Sequence, residues 1–146
     1  LFDNDYFFYG EDVDLGLRIR LLGFKVYYVP SAIMYHRGSI SRKIHKPYFL
    51  TYLMERNLLQ TFLKIITINN IFLLISYVLL MRLIAILKDL VTLKLMNSFA
   101  RLKAILWVIF HFNLIMQKRK KIQKLRKDDD KTLFKVFSER YLFKFS

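Results

Sequence analysis

Residues 1–60 predict a mixed α/β unit, and the rest of the chain predicts apolar and amphipathic membrane-associated helices behind it. Three observations carry that division. An acidic run, Glu11-Asp12-Val13-Asp14, opens an amphipathic helical pattern that gives way at Gly23 to a β-branched, aromatic stretch. Charge is segregated: residues 1–47 hold 7 Lys/Arg against 5 Asp/Glu, whereas residues 48–146 hold 18 against 6. Residues 65–87 are almost wholly apolar, with Arg82 their only formal charge.

Each element follows from its pattern. Over residues 12–22, Val13, Leu17 and Leu21 recur at i, i+4 and i+8, with Arg18 and Arg20 off the stripe, which predicts a helix. Gly23 closes it, because glycine tolerates the left-handed conformation of a helix end. Residues 24–29 read as a strand ended by Pro30. Residues 32–36 read as a second short extended segment, and a polar loop runs from Arg37-Gly38-Ser39 to Pro47. Residues 48–64 are helical again and carry Tyr52, Glu55, Arg56 and Asn57. The 23 residues 65–87 suffice to cross a hydrocarbon layer of about 30 Å as a helix, with Arg82 snorkelling near one end. Residues 88–103 mix Lys88, Lys94, Arg101 and Lys103 with leucines, as an amphipathic surface helix does. Residues 104–116, with His111 and Asn113, are short for a span and suit an interfacial or re-entrant helix. Residues 118–127 hold seven positive charges in ten positions, and Asp128-Asp129-Asp130 follow.

Length alone, 146 residues, suggests one ordinary domain. A chain that is 55% hydrophobic, with mean hydropathy +0.26 and net charge +14, is unlike a simple soluble one. The absence of cysteine excludes disulfides and thiolate metal sites. The chain opens in the middle of a plausible structural unit, and we expect it to be the C-terminal part of a longer protein.

Three carboxylates within four residues, after the aromatic cluster Phe2, Tyr6, Phe7, Phe8 and Tyr9, sit at the start of a helix. Acidic groups there either cap the helix or are held at the edge of an apolar wall and aimed at a substrate. The order of motifs resembles family 2 glycosyltransferases, in particular their rhamnosyltransferase-like members. The residues that carry the likeness are Phe2-Asp3, Phe7-Phe8-Tyr9, Glu11-Asp12, Asp14-Leu15, Gly23-Phe24, Val26, Tyr28, Pro30, His36, Gly38 and Ser39, with Tyr52, Arg56 and Asn57 in the helix beyond.

That resemblance implies the C-terminal part of a GT-A nucleotide-sugar transferase domain over residues 1–60. A membrane-associated helical region at 61–117 and a basic tail at 118–146 would follow. It implies inverting transfer of a sugar from a nucleotide-sugar donor to a glycan or lipid-linked acceptor hydroxyl. Asp12 would act as general base, Glu11 would bind acceptor hydroxyls or orient the base, and Asp14 would cap the helix. A divalent cation, Mn²⁺ or Mg²⁺, would neutralise the leaving diphosphate in the full-length parent, with His36 contributing to it and Arg37, Ser39 and Arg42 meeting phosphates. The family's Asp-x-Asp metal motif belongs upstream. Asp3-Asn4-Asp5 has its spacing but sits in the aromatic stretch, so this chain alone is expected to be inactive.

For the tail, Arg82 and the basic residues Lys118, Arg119, Lys120 and Lys121 are expected to meet membrane headgroups. Each basic residue near an anionic surface is worth about 1 kcal/mol. Flanking positive charge predicts the cytoplasmic face. A nucleic-acid partner is not expected, because it would leave residues 65–87 unexplained; a buried core helix there is the further alternative. The rival from another class is a non-catalytic basic membrane-surface adaptor or remnant.

Overall fold

The computed structural model describes residues 2–35 and 44–133. Among the described residues five α-helices are defined: α1 (Glu11–Leu21), α2 (Pro47–Ile65), α3 (Ile68–Val91), α4 (Leu95–Phe110) and α5 (Phe112–Lys124). No strand forms among the described residues, so the α/β expectation, and with it the GT-A domain fragment, is corrected to an all-helical fold. Residues 24–29 form no regular element, and no strand lies beside them among the described residues to complete a ladder. Their aromatic side chains stand in the open, Tyr28 at 86% exposure, so neither cross-strand pairing nor burial turns β propensity into a sheet. The same holds for residues 32–35, with Tyr35 96% exposed.

The helices begin and end where local chemistry directs. Gly10 opens α1 at φ 84°, and Gly23 closes it at φ 79° with its N–H on the Arg20 carbonyl at 2.8 Å. Pro47 starts α2, where a missing N–H costs nothing. α3 runs on through Lys88 and Asp89, which the sequence pattern had assigned to a separate surface helix. It stops when the Thr92 hydroxyl donates to the Lys88 carbonyl at 2.9 Å and Leu93 turns left-handed at φ 57°. Residues 104–116 are likewise divided between two helices. At His111 the chain bends by 68° between α4 and α5; the His111 ring stacks on Trp107 at 4.1 Å, and its Nδ1 lies 2.9 Å from the Trp107 carbonyl.

α2 is the hub, packed on α1, α4 and α5. One apolar cluster joins Leu21 of α1, Ile65 and Ile66 at the end of α2, Ile71 of α3 and Leu133. A second joins Leu59, Val108 and Ile115 across α2, α4 and α5. The boundaries expected at 60/61 and 117/118 fall within α2 and α5.

The corner between α2 and α3 is capped from a distance. The last carbonyls of a helix lack intrahelical donors. Here Arg119 donates to Leu63 and Ile66 at 2.5 and 2.6 Å, Gln123 to Lys64 and Ile65 at 2.9 and 2.8 Å, and Arg126 to Ile65 at 2.9 Å. On the other side of the corner, Asp130 accepts the Thr67 N–H at 2.9 Å, the Thr67 hydroxyl at 2.6 Å and the Asn70 amide at 2.6 Å, and it pairs with Arg126. Burial raises the Asp130 carboxyl, but these bonds outweigh it and hold it below the usual range. Part of the basic run is thus spent on helix termini. α3 itself is the opposite case: 24 residues long, with none of its most apolar window buried, it has the length and composition to cross a membrane.

Candidate functional site

The acidic run lies on the first turn of α1, and the structure gives its three carboxylates different surroundings. Asp14 points inward and is fully buried. It pairs with Lys64 of α2, also fully buried, at 2.8 Å and with Arg18 at 2.8 Å, and accepts the Tyr6 hydroxyl at 3.2 Å. Asp14 is therefore no helix cap; the cap position is Gly10, which has no side chain to offer. Asp12 is exposed, its carboxylate accepting the N–H of Val13 at 2.8 Å and no other hydrogen bond among the described residues. Glu11 is half-buried, and its Oε2 is enclosed with no hydrogen-bond partner.

The turn that aims these groups is held by α2. Tyr9 and Gly10 both have left-handed backbone, φ 67° and 84°, and Tyr9 is strained there because it carries a Cβ. Asn57, fully buried, donates its amide to the Phe8 and Tyr9 carbonyls at 3.1 and 2.6 Å. Its own oxygen receives Arg56 at 2.9 Å and Gln60 at 3.2 Å. Arg56 also donates to the Asp5 carbonyl at 2.8 Å, and its guanidinium stacks over Tyr52 and Trp107. A side of α2 written Asn57, Gln60, Thr61 and Lys64 is therefore buried against the front segment rather than exposed.

Beneath the turn the phenol of Tyr6 bonds to Thr61, and the Lys64 ammonium lies 4.6 Å from the Tyr6 ring centroid. Burial, then the Asp14 carboxylate, push the Tyr6 phenol up. Lys64 reaches Asp3 at 2.7 Å, and Lys118 of α5 pairs with Asp3 and Asp5. Burial raises Asp3, but Lys118 and Lys64 outweigh it and hold the carboxyl at about 2. Lys118 is disfavoured by burial and then raised by those same carboxylates. Asp3 and Asp5 are committed to these lysines. Beside the turn runs a ladder of rings from Phe7 and Phe8 through His45 and Phe49 to Tyr52, with successive centroids 4.9 to 6.4 Å apart.

Of the other residues expected to act, His36, Arg37, Ser39 and Arg42 lie outside the described residues. Among the described residues no three His, Cys, Asp or Glu side chains gather as a metal site. Arg82 faces Glu55 of α2 at 3.5 Å and donates to the Val78 carbonyl at 3.1 Å. Glu55 also pairs with Arg101, which holds Asp89 at 2.8 Å. Lys118 and Arg119 serve the front segment and the end of α2, while Lys120 and Lys121 are exposed.

Tyr6 and Lys64 were not singled out from the sequence. The signal for Lys64 was present in the spacing of Asn57, Gln60, Thr61 and Lys64 at i, i+3, i+4 and i+7, which puts all four on one helix face. Compared with family models, with curated proteins and with solved structures, the chain matches none.

Proposed function

We propose that this chain supplies the acceptor-activating carboxylates of an inverting glycosyl transfer at a membrane surface, on the cytoplasmic face. What supports the reading is the division of labour within Glu11-Asp12-Val13-Asp14. Asp14 is consumed in a buried ion pair that anchors α1, whereas Asp12, two residues earlier, is left exposed on the first helical turn. A carboxylate so placed can accept the proton of an acceptor hydroxyl as that oxygen bonds to the anomeric carbon and the nucleoside diphosphate leaves. The ring ladder beside the turn offers the apolar faces on which sugar rings stack. The donor and its cation are not assigned to described residues.

The test is sugar transfer in membranes from cells producing the whole encoded protein. Asp12→Asn lowers turnover on the order of 10²–10⁴-fold, the usual contribution of a general base, while leaving donor affinity and protein level unchanged. Near-normal turnover removes Asp12 from the mechanism. A second reading, a non-catalytic membrane-surface adaptor, is favoured by one observation: Asp3, Asp5 and Asp14 are all taken up by ion pairs, as in a packing module. On that reading the protein has no transfer activity to lose.

A further inference from the structure

A groove runs between the first turns of α2 and α4. Its wider part, about 500 Å³, opens at the corner where α3 ends and is lined by Tyr48, Lys94 and Met96 among others. It continues, sharing Tyr48 and Met96, into a narrower part of about 220 Å³ lined by Tyr52, Phe99 and Lys103. The walls are mostly apolar and aromatic, with Asn97 at the wide part; among the described residues the two charged groups that line it are both lysines, and no carboxylate does. Lys94 and Lys103 stand nine positions apart, about 13 Å along the helix axis, so one marks each part of the groove. The Lys103 ammonium is held over the Tyr52 ring at 5.1 Å, leaving Lys94 as the cation at the wide mouth.

The position of this groove matters as much as its lining. The exposed apolar surface of α3 continues through Leu87, Leu90 and Val91 to the corner that forms the mouth. Tyrosines with one apolar and one polar end belong at the level where hydrocarbon meets headgroups. An occupant must therefore be apolar along most of its length, anionic at one end, and delivered from a bilayer.

Resting on the membrane association proposed above, we propose that this groove seats one anionic glycerophospholipid, its phosphate at Lys94 and an acyl chain along the narrower part. A peptide partner suits it less, because the narrow part offers apolar and aromatic walls with few backbone-pairing groups. Seating a lipid there fills a cavity between α2 and α4 that the side chains leave open.

The experiment uses the full protein, phosphatidylcholine vesicles with and without phosphatidylglycerol, and native mass spectrometry after gentle detergent extraction. The wild type binds the mixed vesicles and retains one phosphatidylglycerol. Lys94→Gln lowers that retention about fivefold, the equivalent of ~1 kcal/mol for one lysine at an anionic surface. Met96→Glu, which sets a carboxylate in the apolar wall at an exposed position, abolishes it. Lys25→Gln, an equal loss of charge at an exposed position ahead of α2, leaves retention unchanged. Unchanged helical circular dichroism shows that each variant folds. Vesicle binding with no retained lipid, or with retention equal in all variants, overturns the groove while membrane association stands. Failure to bind either kind of vesicle overturns membrane association and the lipid seat together.

Discussion

The front joint and the α3–α4 hairpin meet the same problem, how to place charge in an apolar chain, in opposite ways. In the joint, Asp3, Asp14, Lys64 and Lys118 are drawn inside and paired, and Asn57 satisfies the backbone of the turn above them. In the hairpin, Arg82, Asp89 and Arg101 gather with Glu55 of α2 into one cluster, Lys88, Lys94 and Lys103 stay at the surface, and much of the rest is leucine, isoleucine and phenylalanine facing outward. Buried ion pairs contribute little net stability against apolar replacements, but they fix one arrangement, since any other leaves a charge alone. The joint is thus built for position. The hairpin leaves most of its apolar surface uncovered.

The sharpest break of that contrast is Lys64→Met. It leaves Asp14 buried with Arg18 and removes one of the two lysines on Asp3, so the expected cost is about 3–5 kcal/mol, the usual consequence of leaving half of a buried pair. Denaturant unfolding in mild detergent measures it. The double variant Lys64→Met/Asp14→Leu recovers most of the loss, because no lone charge is left. If the single variant costs no more than a surface substitution, the joint is not the anchor of α1.

The hairpin answers the complementary test. Leu80, about 53% exposed at the middle of α3, touches little that holds the fold together. Leu80→Lys therefore changes stability in detergent by no more than about 0.5 kcal/mol, yet it opposes insertion by about 2.5–3.5 kcal/mol at the centre of an apolar helix. Carbonate-resistant membrane partition reads the second effect. Equal partition of the two proteins would mean that α3 does not enter hydrocarbon.

The two regions also differ in how far their sequences disclosed them. α1 was readable from the i, i+4, i+8 recurrence of Val13, Leu17 and Leu21, and α3 from composition, because both signals are local. The β propensity of residues 24–29 misled for the opposite reason: a strand needs a neighbour, and no described segment provides one. The basic run was legible as charge but not in its contacts: Arg119 and Arg126 donate to open carbonyls at the end of α2, which only the folded chain brings within reach. At the site, Glu11 and Asp12 were legible as a motif. The separation of Asp12 from Asp14 was not, because it depends on Lys64, fifty residues further on, reaching one of them.

Asn57 tests whether the joint positions the motif or only stabilises it. Asn57→Ala orphans the Phe8 and Tyr9 carbonyls, and the cost expected for unsatisfied buried groups is about 1–3 kcal/mol. Under the transferase reading it also lowers turnover, since the left-handed turn at Tyr9 and Gly10 that leads into Glu11 and Asp12 relaxes. Asn57→Asp, which keeps one oxygen but loses both amide donors, does the same. A stability loss with unchanged turnover in folded protein would confine Asn57 to structure.

The smallest effect comes from acid. The Asp3 carboxyl, usually near 3.8, is held at about 2 in the folded protein. A carboxyl depressed on folding contributes stability that is complete above its unfolded value and disappears as pH falls through the folded one. The window is therefore from about pH 4 down to about pH 2. Within it Asp3 takes up a proton and lets go of Lys64 and Lys118, while the apolar contacts of Leu21 with Ile65 and Ile66 hold α1 in place. The expected result is faster amide exchange over residues 2–9, ahead of the helices, as pH falls through this window. Asp3→Asn shows that faster exchange already at neutral pH and flattens the acid response. Segment and helices loosening together would place the tether elsewhere in the joint, at the buried pair between Asp14 and Lys64.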